Sequence, residues 1–505
     1  MRRGPGTSTR AENTKKIIMI GAGIAGLSAG IYARKNGYAV TIYESHFLPG
    51  GMCTAWKREG YTFEGCMHYV GLVGCSPTHT YYDQWTELGL LPGMKMIQDD
   101  IFHTFQDRSG RRLNLYTDVD RLEKELLTLS PSDAQEIETL CTIVKRYAWF
   151  IRRTGRNPFL LIGKGVGILR AIPLLKKYAD MSMGEYAARF SDPLIRYALT
   201  YLFGYPDFAC TNIFFFLAGN HLRGTGFPQG SSLAFARRME RIFLELGGTI
   251  QYKTRVRRIV VQADRAAGIE LEDGTIREAD LVISAADGHA TLFEMLADRF
   301  TPPALRERYE SQAHYPPFIQ VSLGISRDLT GVPHALKVQT ALPFDLAGRT
   351  RQELWVQHFA HDPSMAPPGK TSLTVLFPSD LSWWEQFGYQ TEAYQAEKKR
   401  IADTTIAQLE QVLPGIASQV ETVDVATPFT TRRYVNNWKA GLGFMMTKKL
   451  GGEMVFNPQY TLPGLGGFYM IGLWVKGFGV PLAAASGKEV IRKICAAEGI
   501  KFKAS

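Results

Sequence analysis

Lys16–Ile20 (KIIMI) is a short β-branched run that enters Gly21-Ala22-Gly23-Ile24-Ala25-Gly26, a GxGxxG spacing. A helical stretch follows to about Asn36, with Gly37 as its stop, and Tyr38–Tyr43 predicts a second strand ending at Glu44. Each position meets one demand of a dinucleotide. Gly21 permits the tight turn, Gly23 lets backbone approach a pyrophosphate, and Gly26 lets the helix pack on the strand. The helix N-terminus then faces the phosphate charge. Glu44, 44 − 26 = 18 residues beyond Gly26, is placed to accept hydrogen bonds from a ribose diol. Its charge would repel a 2′-phosphate, which disfavours NADP. A lone GxGxxG is weak; strand, glycines, helix, strand and acid in that order are strong.

The rest of the composition bounds what surrounds this unit. At 505 residues the chain is worth roughly three domain-equivalents, which large sheets reduce to two. With 45% apolar and 21% charged residues it can bury a sizeable core, excluding wholesale disorder and fibrous repeats. Six cysteines with no CxxC pair argue against a zinc ribbon or disulfide scaffold and suit a reducing compartment. No cluster with metal-ligand spacing stands out, so no metal is expected. No charge-free apolar run of about 18 residues predicts a spanning helix. The N-terminus lacks an apolar h-region, and residues 1–14 are expected to be a disordered basic tail. The location expected is the cytoplasm.

Beyond Glu44 and Ser45 comes Gly50-Gly51, a bend where backbone can touch the pyrophosphate from the other side, followed by Met52. Ala55–Phe63 reads as a hairpin around Glu59-Gly60. With Gly60-Tyr61-Thr62-Phe63-Glu64-Gly65, the order acid, Gly-Gly and GxxFxxG resembles the flavoprotein superfamily of amine oxidases and phytoene desaturases. The likeness recurs at Gly226–Ser231, where Ser231 replaces the second glycine of a Pro-X-Gly-Gly pattern. It recurs again at Ala426–Tyr434, similar to TPxTxxxY, and at Gly467–Gly487, which reads as strand, glycine-rich loop and helix. No second GxGxxG follows a strand, so no nicotinamide domain is expected.

The resemblance is closest to the phytoene desaturase, carotenoid isomerase and retinol saturase branch. It implies an α/β protein: a Rossmann-type FAD-binding domain with an inserted mixed-sheet and helical substrate domain. The divisions expected are 15–90, 224–303 and 447–505 for FAD, and 91–223 and 304–446 for substrate. It further implies that FAD contacts Gly21, Ala22, Gly23, Ile24, Ala25, Gly26, Glu44, Ser45, Gly50, Gly51, Met52, Val256, Ala285, Gly472, Gly479 and Val480. The function implied is hydride exchange between flavin and a long unsaturated, isoprenoid- or carotenoid-like molecule. Rival readings are a polyene cis–trans isomerase, an amine oxidase and a non-catalytic FAD-stabilised scaffold.

Candidate chemistry beside the ring is thin. His68 is a candidate proton donor, weighed against a structural histidine held beside the cofactor. Lys476 is a candidate cation near the flavin, weighed against an exposed lysine on a glycine loop. Glu64 is weighed as a base against a structural acid, and Cys53 and Cys66 read as buried thiols. The electron donor or acceptor stays open.

The net charge of +10 is concentrated. Lys145–Asp180 holds nine basic residues and one acid, 9 − 1 = +8. Within it, Asn157–Lys177 mixes large aliphatics with four cations, and Asn212–Gly219 (NIFFFLAG) is strongly apolar. This suggests a basic surface resting peripherally on a membrane and feeding a lipophilic substrate inward, against the plainer reading of a core helix with solvated charges. Nucleic-acid binding is not expected: few aromatics lie among the cations and no reading module is recognisable. The block 91–223 otherwise reads as mostly helical.

Overall fold

The computed structural model describes residues 14–67, 71–155, 173, 177–445 and 457–504. The first strand, β1 (Lys16–Ile20), is buried from Ile17 to Ile20. A strand apolar on both faces needs neighbours on both edges and cover on both sides. It lies centrally in a five-stranded all-parallel sheet ordered β10 (Thr249–Gln251), β2 (Ala39–Tyr43), β1, β14 (Leu281–Ser284), β20 (Phe468–Met470). The chain leaves β1 toward β2 on one side and returns through β14 on the other. This makes the β1/β14 junction the topological switch point, where ligands of such sheets bind.

Two helices cover the same stretch of this sheet. Helix α1 (Ile24–Lys35) is almost entirely buried, and the final helix, Val480–Ala497, packs along it. The approach is close because Gly487 has no side chain: a Cβ there would lie 2.6 Å from the Ala29 nitrogen and 2.9 Å from the Ala25 oxygen. Ser28 also donates to the Ala484 carbonyl at 2.8 Å. The meander β11 (Val256–Gln262), β12 (Arg265–Leu271), β13 (Ile276–Glu278) is antiparallel and turns at Asp273-Gly274, as its sequence predicts. The hairpin β3 (Ala55–Arg58) and β4 (Tyr61–Glu64) turns at Glu59-Gly60, both at positive φ.

The second large sheet has seven strands: β19 (Val420–Ala426), β15 (Phe318–Ile325), β18 (Thr371–Pro378), β17 (Arg349–His358), β16 (Ala335–Leu346), β7 (Ile101–Gln106), β8 (Arg112–Tyr116). It is mixed, since β16 and β7 run parallel while the other neighbours are antiparallel. Helix Glu392–Val412, capped by the Thr391 hydroxyl, covers one face with Ile401 and Leu409.

Three strands fall outside the sequence reading: β7 and β8, in the block 91–223 read as mostly helical, and β16. β7 and β8 form a hairpin inside that block, held at its turn by Asp107 accepting from Ser109 and Arg111. In β7 (IFHTFQ) the buried His103 and Thr104 hide the alternation, whereas β8 (RLNLY) alternates but is only five residues long. β16 was not foreseen because Lys337 occupies a fully buried position in it. Helices Val119–Leu129, Ala134–Ile151 and Thr211–His221 make the separate helical core expected there. The apolar run Asn212–Gly219 is thereby largely internal, with Ile213, Phe214, Leu217 and Ala218 buried. Most of Asn157–Lys177 lies outside the described residues. Among the described residues no helix is long and apolar enough to cross a membrane.

Candidate active site

The glycine turn is built as its spacing predicts. Gly21 follows β1 at φ +98°, and its N–H donates to the Tyr43 carbonyl at 2.8 Å. A Cβ on Gly26 would sit 2.1 Å from the Gly21 oxygen, so the helix can leave the turn only with glycine there. A Cβ on Gly23 would meet nothing nearer than the Gly50 oxygen at 4.0 Å. Gly26 therefore serves the fold, and Gly23 keeps a backbone face open.

Gly50 and Gly51 close over this turn. Gly50 donates to the Ala22 carbonyl at 2.8 Å and bridges Gly23. Glu44, buried at the end of β2, accepts from Ala22 N–H at 2.7 Å through one oxygen and from His46 N–H at 2.8 Å through the other. Oε1 also accepts from the Ser45 hydroxyl at 3.4 Å, which leaves Oε2 a lone pair for a further donor. Ser45 is exposed beside it. Val256 opens β11 just past Thr254, whose N–H donates to the Glu44 carbonyl at 2.9 Å. Ala285, the residue after β14, lies against Gly21.

From the far end of the chain, Gly472 (φ +98°) faces Ala25 of α1 and donates to Ser486 Oγ at 2.9 Å. Gly479 (φ +130°) caps the last helix ahead of Val480. Neither α1 nor the last helix has a side-chain cap or an acid in its first turn. Two uncapped, electropositive helix starts are thus carried on neighbouring helices that pack side by side, the arrangement that takes anionic groups. With the open face at Gly23 and the spare acceptor capacity of Glu44, the residues present fit an FAD.

Around this cradle the candidate groups separate. His68 lies outside the described residues. Its neighbour Met67 is buried and donates to Glu64 Oε1 and Ser232 Oγ, each at 3.2 Å. Glu64 is itself buried, accepting from Cys66 N–H at 2.9 Å and Ser232 N–H at 2.8 Å. Burial raises its pKa against those donors, and the contacts make it the pin between β4 and helix Ser231–Glu245. Ser231 keeps the backbone of the glycine it replaces, at φ +91°.

Lys476 is not an exposed loop lysine. It is buried, and its ammonium lies 2.8 Å from Glu489 Oε1 on the last helix, whose other oxygen accepts from Tyr460. Trp474 packs with Tyr309 and Phe444, at ring distances of 5.8 and 5.2 Å. The sulfurs of Cys53 and Cys66 are 3.5 Å apart; their hydrogen bond and burial push the Cys53 thiol well above its ordinary range, making it a poor nucleophile.

One polar group near the switch point has no sequence signature. Asp287, three residues past β14, accepts from Ala290 and Trp438 N–H groups, and burial pushes its carboxyl up to about 6. Its signal would have been an acid closing a buried strand, Leu281–Ser284, but only the fold supplies the Trp438 partner.

Comparison with known proteins extends the likeness over nearly the whole chain. The family model described as flavin containing amine oxidoreductase matches residues 24–495. The chain is 24% identical to a phytoene desaturase (neurosporene-forming) of Rhodobacter capsulatus, covering 96% of this chain and 95% of that one. It is also 24% identical to a chloroplastic prolycopene isomerase of Daucus carota, covering 96% and 81%. Among solved structures, a putrescine oxidase triple mutant superposes with a TM-score of 0.62 at 15% identity, covering 96% and 99%.

Proposed function

The chain belongs to the flavin containing amine oxidoreductase family and is an FAD-dependent oxidoreductase; on that premise we propose that it exchanges a hydride with a long unsaturated, carotenoid-like substrate. The observation that carries the reading is the near-complete alignment with polyene-modifying relatives, joined to a cradle whose open backbone face and paired uncapped helices fit one dinucleotide. When bound, the flavin supplies two-electron chemistry at its ring.

The chain's own residues hold and orient. Gly21, Ala22, Gly23, Ile24, Ala25 and Gly26 would receive the pyrophosphate at the α1 start, with Gly50, Gly51 and Met52 closing over it. Glu44 and Ser45 would take the ribose, and Val256 and Ala285 flank the turn. Gly472, Gly479 and Val480 would present the second helix start to the ring end. The paired Lys476 suits a positioning role, because Glu489 neutralises it, whereas His68 stays the candidate proton donor. The division into FAD-binding segments 15–90, 224–303 and 447–505 and substrate-binding segments 91–223 and 304–446 belongs to this proposal. It is supported by the separate parallel and mixed sheets, the latter taking strands from both substrate blocks.

Peripheral membrane contact through Asn157–Lys177 is a second part of the proposal, supported by its aliphatic-cationic composition. Nearby charges are partly spent elsewhere: Lys145 pairs with Asp120 and Glu123, and Arg153 with Asp83. Changing Arg170, Lys176 and Lys177 together to Glu should abolish co-sedimentation with anionic liposomes; equal pelleting would remove this element.

For the activity, incubation with polyenes in liposomes followed by mass spectrometry is the test. Desaturation or saturation shifts the product by the mass of two hydrogens. An unchanged mass with altered double-bond geometry would favour the isomerase reading, and peroxide release from small amines would favour an amine oxidase.

A further inference from the structure

Three segments remote in sequence converge beside β9 (Thr225–Pro228). Asp99 follows the short strand β6 (Met96–Ile97), His334 precedes β16, and His361 follows β17. Asp99 Oδ2 lies 3.5 Å from His334 Nδ1 and 3.3 Å from His361 Nδ1. One ligand atom from each of the three residues falls within 4.8 Å of the others. Tetrahedral bonds of about 2.0–2.1 Å place neighbouring ligand atoms about 3.3–3.4 Å apart. The two carboxylate–imidazole separations match that edge.

No well-aligned hydrogen bond joins the three side chains. Asp99 Oδ2 and both ring nitrogens of His361 are buried without a hydrogen-bond partner, so the 3.3 Å approach lacks hydrogen-bond alignment. His334 is only 9% exposed. Buried polar atoms are normally satisfied, and each exception calls for an ion, a water or a function.

The surroundings hold the two histidines in place independently of each other. His358 donates its backbone N–H to the His334 carbonyl at 2.9 Å. Its own ring is already committed to Val332 O and Ala360 N–H, which leaves it out of the ligand set. Asp362, next to His361, accepts from Gly230 N–H at 2.7 Å and from Ser364, fixing the loop. Phe227 stacks on His361 at 5.4 Å and meets His334 edge-on at 5.7 Å, giving an apolar wall.

We propose that Asp99, His334 and His361 form a binding site for one divalent transition-metal ion of the Zn2+ class, tying β6, β16 and the β17–β18 loop together next to the start of helix Ser231–Glu245. Two imidazoles and one carboxylate suit zinc, with the remaining position open to water. The ligands stand 99, 334 and 361 along the chain, a separation that no spacing motif reveals.

The full-length flavoprotein, prepared without a histidine tag and stripped with chelator, should take up one Zn2+ or Co2+ per chain. The Co2+ form should show tetrahedral d–d bands to the red of flavin absorption, and Zn2+ should raise the thermal midpoint. His361→Ala and Asp99→Ala should retain flavin, the control for folding, yet lose both the ion and the zinc-dependent stabilisation. Absence of saturable uptake by the wild type overturns the site, whatever the variants do. So does undiminished uptake by either variant with flavin intact.

Discussion

Ser231 holds a backbone angle of +91° that side-chain-bearing residues rarely adopt, buried at the start of a helix. Such a conformation costs on the order of 1 kcal/mol relative to glycine. Ser231→Gly should therefore raise stability by about 1 kcal/mol in urea titration; a loss would mean that the hydroxyl contributes more than the strain removes. Gly23 and Gly26 separate in the same way. Gly26→Val forces a Cβ into the Gly21 carbonyl and should prevent soluble folding, whereas Gly23→Val should fold with native circular dichroism and emerge colourless. Residues of this kind were legible in the sequence because their role is steric and local. His334 and Asp99 were not, since a ligand set assembled from three loops remote in sequence leaves no local trace. Lys476 was legible as buried or exposed only once Glu489 and Tyr460 stood beside it.

At the scale of elements, Lys476 belongs to a short helix, Leu473–Lys476, tied to the last helix through Glu489. Removing one partner of a largely buried pair leaves the other unsatisfied, so Lys476→Met should destabilise by about 2–3 kcal/mol, less on a Glu489→Leu background. β16 carries a sharper signature. Lys337 is buried, its ammonium donating to the Tyr201 and Leu202 carbonyls and lying 3.7 Å from the Trp355 ring centre. Burial pushes it down from 10.5 to about 7. The folded state then binds fewer protons than the unfolded state between those values, so stability should rise as pH climbs from about 7 toward 10.5. Each unit is worth up to about 1.4 kcal/mol. Lys337→Met should flatten that rise in denaturation midpoints measured against pH; an unchanged slope would mean that Lys337 keeps an ordinary pKa. Period and the glycine stop made β1, α1 and β2 readable. β7 and β16 stayed hidden because buried polar side chains interrupt their alternation and find partners only across the sheet, and β8 because it is only five residues long.

At the scale of the molecule, the parallel sheet gathers chain from both ends to build one cradle, and the mixed sheet takes strands from both inserted blocks. The cradle could be read in advance because a dinucleotide imposes its spacing on contiguous residues. A mixed sheet in the inserted blocks is what the resemblance implies, but its joining of β7 to β16 could not be read, because that pairing is long-range with no local cost or benefit. The most direct measurement is a single anaerobic turnover of the FAD-loaded protein with a liposome-borne polyene, recorded by visible absorption and product mass together. Hydride exchange predicts that flavin absorption changes in step with a product shifted by two hydrogens. A flavin that keeps its initial redox state, with no shift in any product, would contradict it.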